Sequence, residues 1–252
     1  MNLESIRWEL KKLFAFPIPE IMIASMIFNG TIMLPSLMGS LSSEDVGSLE
    51  SYTIIYFFAK QILYPVVSFA FVIQGILMGV ITAIILPYER ESGMLDTELA
   101  YSRNRTELFA AKLIALILFG IICLFTSTIV LLVYNLRGAW LVETFFSFSF
   151  SCFSLLIQTI FIISLNVLIS TVSDRTVISI LSSALIFYSL DNLIKYSNLQ
   201  PGSFLYNIPP ISTSKFLIVP HEAVNNLIAT FTISLGFLLI AFIYFTRFYE
   251  VK

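Results

Sequence analysis

The chain is expected to fold as an all-α integral membrane domain. Six transmembrane helices would follow an N-terminal interfacial amphipathic helix, with an outer re-entrant segment between helices five and six. Composition, the blocked arrangement of apolar residues and the placement of basic residues carry that expectation. Of 252 residues, 58% are hydrophobic and only 12% are charged, and mean hydropathy is +0.91. Soluble domains run nearer to about 45–50% apolar and about 25% charged, so these few charges are too sparse to cover a water-exposed surface. The apolar residues fall in blocks separated by short polar stretches, as a chain threaded through a bilayer requires.

Residues 1–16 come first, as an interfacial helix. Leu3, Ile6, Leu10, Leu13 and Phe14 share one helical face, whereas Glu4, Ser5, Glu9, Lys11 and Lys12 lie off that stripe, the pattern of a helix lying in the interface plane. A secretory signal peptide fits less well, because its leading region would be long and would contain Glu4 and Glu9. Pro17 and Pro19 mark the bend into the membrane domain, residues 17–252.

A bilayer core of about 30 Å needs about 20 apolar helical residues. Six stretches approach or exceed that length: Ile18–Gly39, Ile62–Leu86, Leu108–Leu132, Phe145–Val172, Val177–Ile194 and Val224–Phe245. The fourth is longer than needed and should tilt or project. The fifth is the shortest, with Asp191 and Asn192 in its last turn. With the N-terminus inside, ten of the 14 basic residues lie on inner segments: Arg7, Lys11, Lys12, Arg90, Arg103, Arg105, Lys112, Arg175, Arg247 and Lys252. Lys60, Arg137, Lys195 and Lys215 would lie outside. That bias places both termini in the cytoplasm, as for a multi-pass cell-membrane protein.

The inner loop, residues 88–107, is dense in charge, yet Met94, Leu95, Leu99 and Tyr101 offer apolar contacts. Gly93 allows the backbone to turn away from the membrane. Asn104 and Glu107 have capping-box spacing for the next helix, and Lys112 is expected to snorkel to the headgroups. Taken alone the stretch reads as an ordinary charged inner loop. Together with the amphipathic start and six spans it reads as an ordered element suited to a soluble partner.

At these residues the chain resembles permease subunits of the ABC transporter type-2 family. Those chains combine an interfacial N-terminal helix and six spans with an inner acidic-x-acidic-x-Gly loop and an apolar run. Glu89, Glu91 and Gly93 match the acidic-Gly element, and Arg105 with Lys112 matches a later Arg-to-Lys spacing. Ser102 stands where the family often has proline. The resemblance implies a coupling helix that fits a cleft in a cytosolic ABC ATPase, with Glu89, Glu91, Gly93, Met94, Leu95, Glu98 and Arg105 as contact residues. It also implies two ATPase copies that bind ATP-Mg, and a second permease chain, identical or homologous. Closure of the ATPases would tilt the flanking spans.

The second inner turn, Ser173-Asp174-Arg175-Thr176, is expected to be a capped connection in which Ser173 or Asp174 caps the next helix. The outer loop, residues 195–222, holds Pro201, Gly202, Pro209, Pro210 and Pro220 among apolar pieces too short to cross. Re-entrant backbone of this kind must be buried in protein or lie at the interface. Asn207, Pro209 and Pro210 are the candidate outer gate, a feature the family has at the same place.

The chain has no G-x-x-x-x-G-K-[ST] phosphate loop, no H-E-x-x-H pattern, no metal-ligand spacing and a single histidine, His221. Its spans hold almost no ionisable residues away from their ends, unlike proton-coupled carriers and intramembrane proteases. No catalytic residue, cofactor, metal or nucleic-acid partner is therefore expected, and ATP-driven transport would need a separate ATPase. Asn29, Gln74, Gln158 and Asn166 are candidates for either a substrate pathway or interhelical packing, and Gly75 with Gly79 makes a G-x-x-x-G packing pair. Cys123 and Cys152 read as small packing residues, and the 24 phenylalanines as mostly lipid-facing bulk. The functional expectation is the permease subunit of an ABC exporter. The alternative is an ATP-independent membrane protein: an enzyme accessory subunit, channel or assembly scaffold.

Overall fold

The computed structural model describes residues 3–15, 17, 19–21, 23–24, 64–101, 105–126, 145–196 and 220–247. The described residues are helical throughout, apart from short turns. Helix α1 is Leu3–Ala15. Helix α2, Tyr64–Ala83, runs on through a π turn at Ile84–Tyr88 and one further turn at Glu89–Glu91. Helix α3 is Met94–Tyr101, and α4 is Arg105–Gly120 with a π turn at Ile121–Phe125. Helices α5, α6 and α7 are Phe145–Val172, Thr176–Tyr196 and Pro220–Arg247.

Five helices, α2 with its extension and α4 to α7, are long and apolar enough to cross a membrane. They correspond to the second to sixth expected spans. The expected first span, Ile18–Gly39, lies almost wholly outside the described residues, as do Asn29, Asn207, Pro209, Pro210 and the outer segment apart from its ends. The ends of that segment are helical: α6 continues to Tyr196 and α7 begins at Pro220. The span expected to be short is thus a helix of 21 residues, about 31 Å at 1.5 Å per residue. Asp191 lies more than a turn before its end and is buried.

Helix α5 occupies the centre, against α2, α4, α6 and α7, while α6 packs mainly on α2. The outer faces of α6 and α7 carry exposed Leu181, Leu185, Ile228 and Leu239, the apolar surface that lipid would cover. Six of the phenylalanines do not face lipid. Phe71, Phe109, Phe119, Phe161, Phe187 and Phe245 are fully buried between helices. Phe109 stacks on Phe245 at 4.6 Å, and Phe71 meets Phe187 edge-on at 5.3 Å. Lipid tails are as apolar as these rings, so helix association in a bilayer depends on shape and dispersion, which large flat side chains provide.

The G-x-x-x-G pair sits at the α2–α6 crossing. A Cβ on Gly75 would lie within 3.0 Å of the Phe187 ring, and one on Gly79 within 3.0 Å of Ser183. Asn166 of α5 uses this close approach: its Nδ2 donates to the Gly75 carbonyl and to Ile162 O, each at 3.0 Å. Nearby, Ser170 Oγ donates to Thr82 Oγ1 at 2.9 Å and lies 2.8 Å from Ser179 Oγ. Because Ser170 has one hydroxyl proton, Ser179 must be the donor in that second contact. Thr82 passes its own proton to Met78 O and Gly79 O. These hydroxyls tie α2, α5 and α6 together with each donor used.

Pro87 lies inside the π turn and is buried. In continuous α-helix its ring would press on the carbonyl four residues earlier. The wider π turn relieves that clash while the helix carries on to Glu91.

Candidate functional site: a buried ion cluster under the inner loop

One end of the bundle gathers α1, the 89–101 segment, the turn at 173–176 and the end of α7, where Phe245 stacks on Phe109 near the start of α4. Helix α1 packs along α4. Its apolar stripe faces protein: Ile6 and Leu13 are buried and Leu10 packs against the core. Glu9, expected off that stripe, is also buried, because it points at Lys112.

Lys112 is 0% exposed. The expected snorkelling to the headgroups does not occur. Its ammonium instead meets three carboxylates: Glu9 at 3.0 Å, Glu98 at 2.8 Å and Glu89 in a short contact. Lys12 from α1 meets the same group, at 2.9 Å from Glu89 and in a short contact with Glu98, with Glu9 at 3.7 Å. Trp8 covers this second ammonium, 3.8 Å from ring centroid to Nζ. Five charges from four segments thus share one buried knot. Desolvation makes such a knot costly unless every member is paired, and here each cation meets more than one carboxylate.

The acidic-x-acidic spacing has a geometric reason. Residues two apart on a helix point about 200° apart, so Glu89 and Glu91 face opposite sides. Glu89 goes inward to the lysines. Glu91 goes outward to the second turn, where its carboxylate accepts the Thr176 backbone N–H at 3.2 Å and the Thr176 hydroxyl. It therefore serves the first residue of α6, where Ser173 or Asp174 was the expected cap. Asp174 is engaged elsewhere, accepting from Arg90 at 2.7 Å.

Gly93, with φ of +73°, reverses the chain after Glu91. Its N–H bonds to Arg90 O, and its carbonyl receives the Thr97 N–H and hydroxyl that begin α3. Leu95 enters the core, whereas Met94 is 47% exposed. Arg105 is exposed at the first turn of α4. The contact residues expected from sequence therefore divide. Glu89, Leu95 and Glu98 face the body of the protein; Gly93 and Met94 face outward; Glu91 is exposed but bonded to α6. An apolar groove of about 590 Å³ runs beside Met94, walled by Leu13, Ile81, Ile84 and Ile85 with Lys12 and Glu89. Gln74, Gln158 and Asn166 are all buried; of these, Asn166 makes the interhelical bond described above. Cys123 is buried in the core.

Among the described residues, no His, Cys, Asp or Glu cluster is arranged to hold a metal ion. The three carboxylates are directed at ammonium groups instead. Burial pushes the Glu9 carboxyl above its ordinary 4.5, against the pull of Lys112 and Lys12. Burial also acts on Glu98, but Lys112 and Lys12 outweigh it and hold that carboxyl below 4.5. The two have opposite linkage. Glu98 contributes stability that is present above pH 4.5 and lost as pH falls through its lowered folded value. Glu9 binds its proton more tightly folded than unfolded, so its contribution is lost as pH rises above 4.5. In a thermal-midpoint series against pH, Glu98→Gln is expected to flatten the acid side and Glu9→Gln the neutral side. The opposite pairing would refute these environments.

Sequence reasoning missed Glu9, Lys12, Asp174 and Thr176 as partners in this site. One signal was available: Lys112 is a lone cation in an otherwise apolar run, and such a residue facing protein requires acidic partners.

The five long apolar helices define the class as that of a multi-pass helical membrane protein. Comparison with protein-family models finds none that matches the chain, and comparison with curated proteins finds no match either.

Proposed function

We propose that this chain is the membrane-spanning permease subunit of an ABC exporter, driven by a separate cytosolic ATPase and paired with a second permease chain. In this reading six spans cross the cell membrane, the first being Ile18–Gly39. The ion-cluster end faces the cytoplasm, the 195–222 segment closes the outer side, and ATP-Mg binds on the two ATPase copies. One observation carries the proposal: the Glu89–Tyr101 segment is braced to three different helices while offering Met94 outward. Glu89 and Glu98 tie it to α1 and α4 through Lys12 and Lys112, and Glu91 ties it to α6. A push on Gly93 and Met94 would thus reach several spans together, which supports a coupling role beyond mere connection.

The test uses the full chain, co-produced with an ABC ATPase encoded beside its gene. Met94→Asp is expected to weaken ATPase association about tenfold, a loss ordinary for one central contact residue, with the thermal midpoint unchanged because the side chain is exposed. Glu91→Gln and Glu98→Gln should lower the midpoint as well, since both hold the protein's own fold. Undiminished association of Met94→Asp would sink the contact assignment. Failure of the unaltered chain to bind the ATPase would sink the function.

A further inference from the structure

Helix α1 turns Ile6, Leu10 and Leu13 of its apolar stripe to the protein, which leaves the flank beside that stripe to be explained. That flank bears Arg7, Trp8 and Lys11, with Phe14 of the stripe at its edge, all exposed. On a helix Arg7 and Lys11 point within about 40° of one another, with Phe14 flanking them on one side and Trp8 on the other. Glu4 lies one turn nearer the N-terminus.

The depth of this face follows from two contacts. Glu9 reaches Lys112 at 3.0 Å, and Phe14 meets Phe119 at 5.2 Å, so α1 descends along α4 in the same direction. Lys112 is the last charge on α4: residues 113–136 carry none. Lys112 therefore marks where α4 becomes wholly apolar. The cations of α1 lie near that level and the Phe14 ring about a turn deeper. Paired cations at the edge of the apolar zone, bracketed by aromatics, match a phosphate above acyl chains.

We propose that the exposed face of α1 binds the headgroup of an anionic phospholipid, with Arg7 and Lys11 holding the phosphate, Trp8 beside them at headgroup level and Phe14 contacting the upper acyl chains. The charge complementarity selects an anionic lipid over a zwitterionic one, and the buried Glu9–Lys112 pair keeps the helix at the required depth. The site rests on the bundle lying in a membrane with this end at a leaflet surface, and it is independent of any ATPase. Two juxtamembrane cations favour anionic over zwitterionic lipid on the order of tenfold at low salt, less as salt screens them.

The chain has two tryptophans, Trp8 and Trp140, so a Trp140→Phe background isolates Trp8 as a reporter. The full chain is placed in vesicles containing brominated phosphatidylglycerol or brominated phosphatidylcholine at equal mole fraction. Stronger quenching by the brominated phosphatidylglycerol is expected, with the excess at least halved by Arg7→Gln/Lys11→Gln and reduced by added salt. Equal quenching by the two lipids would mean non-specific lipid contact and would overturn the site. Absence of quenching by both would show the face covered by protein, and an excess unchanged in the double variant would remove Arg7 and Lys11; either overturns the proposal. Retained ATPase association in the double variant separates this result from the coupling reading.

Discussion

Lys112→Met is expected to cost about 3–5 kcal/mol, the range for removing one partner of a buried ion network. That is a large share of the about 5–15 kcal/mol that holds a domain folded, so the detergent-solubilised variant should show a strongly lowered thermal midpoint or fail to accumulate. Methionine has nearly the same length and fills the volume, so the loss comes from charge rather than from a cavity. Without this ammonium, Glu9, Glu89 and Glu98 converge with only Lys12 to compensate them. If that account holds, adding Glu9→Gln and Glu89→Gln to Lys112→Met recovers part of the stability. Lys112→Arg should also be poorly tolerated, because a planar guanidinium does not fit a fully buried site shaped for a compact ammonium. A Lys112→Met chain as stable as its parent would show that the knot contributes nothing.

Gly75→Ala carries the second-largest expected effect, about 1–3 kcal/mol for one methyl group forced into a filled contact. The added carbon would meet the Phe187 ring, which is fully buried and also meets Phe71, one turn before Gly75 on α2. Either α6 moves off α2 or the ring leaves its position. Phe187→Leu should suppress the defect, giving a double-mutant cycle with clear non-additivity. Gly236→Ala on α7 is the control. Nothing lies near its added carbon, so a neutral or slightly stabilising change is expected. Thermal midpoints of the four variants measure both effects; equal losses at Gly75 and Gly236 would refute the close crossing.

What was legible in the sequence was what hydrophobic periodicity writes down. The helices from Tyr64 to Arg247 fall where apolar blocks of bilayer length fall, because crossing lipid imposes length and composition directly. The inner loop was recognisable by charge density and by Gly93, whose positive φ bears out the turn. The partners of those charges were not legible. Glu9 and Lys112 are 103 positions apart, and only packing of α1 along α4 brings them together. The stripe on α1 was read as lipid-facing, since apolar residues look alike whether they meet lipid or protein. The same ambiguity misplaced the six buried phenylalanines. That Glu89 and Glu98 turn toward the lysines was not legible either, because exposure cannot be inferred from charge alone.

The π turn at Ile84–Tyr88 has a consequence for register. A turn wound wider than α takes up close to one extra residue, which sets everything after it back by about 100° relative to an uninterrupted α-helix. Glu89 finds the lysines, and Glu91 finds Thr176, in this shifted frame only. Removing one residue between Ile84 and Tyr88 would leave both acids in the chain with their spacing intact, yet rotate them together off their targets. The motif is therefore not self-sufficient: it is read in phase with the irregular turn before it, much as a key works only at the right angle of its barrel.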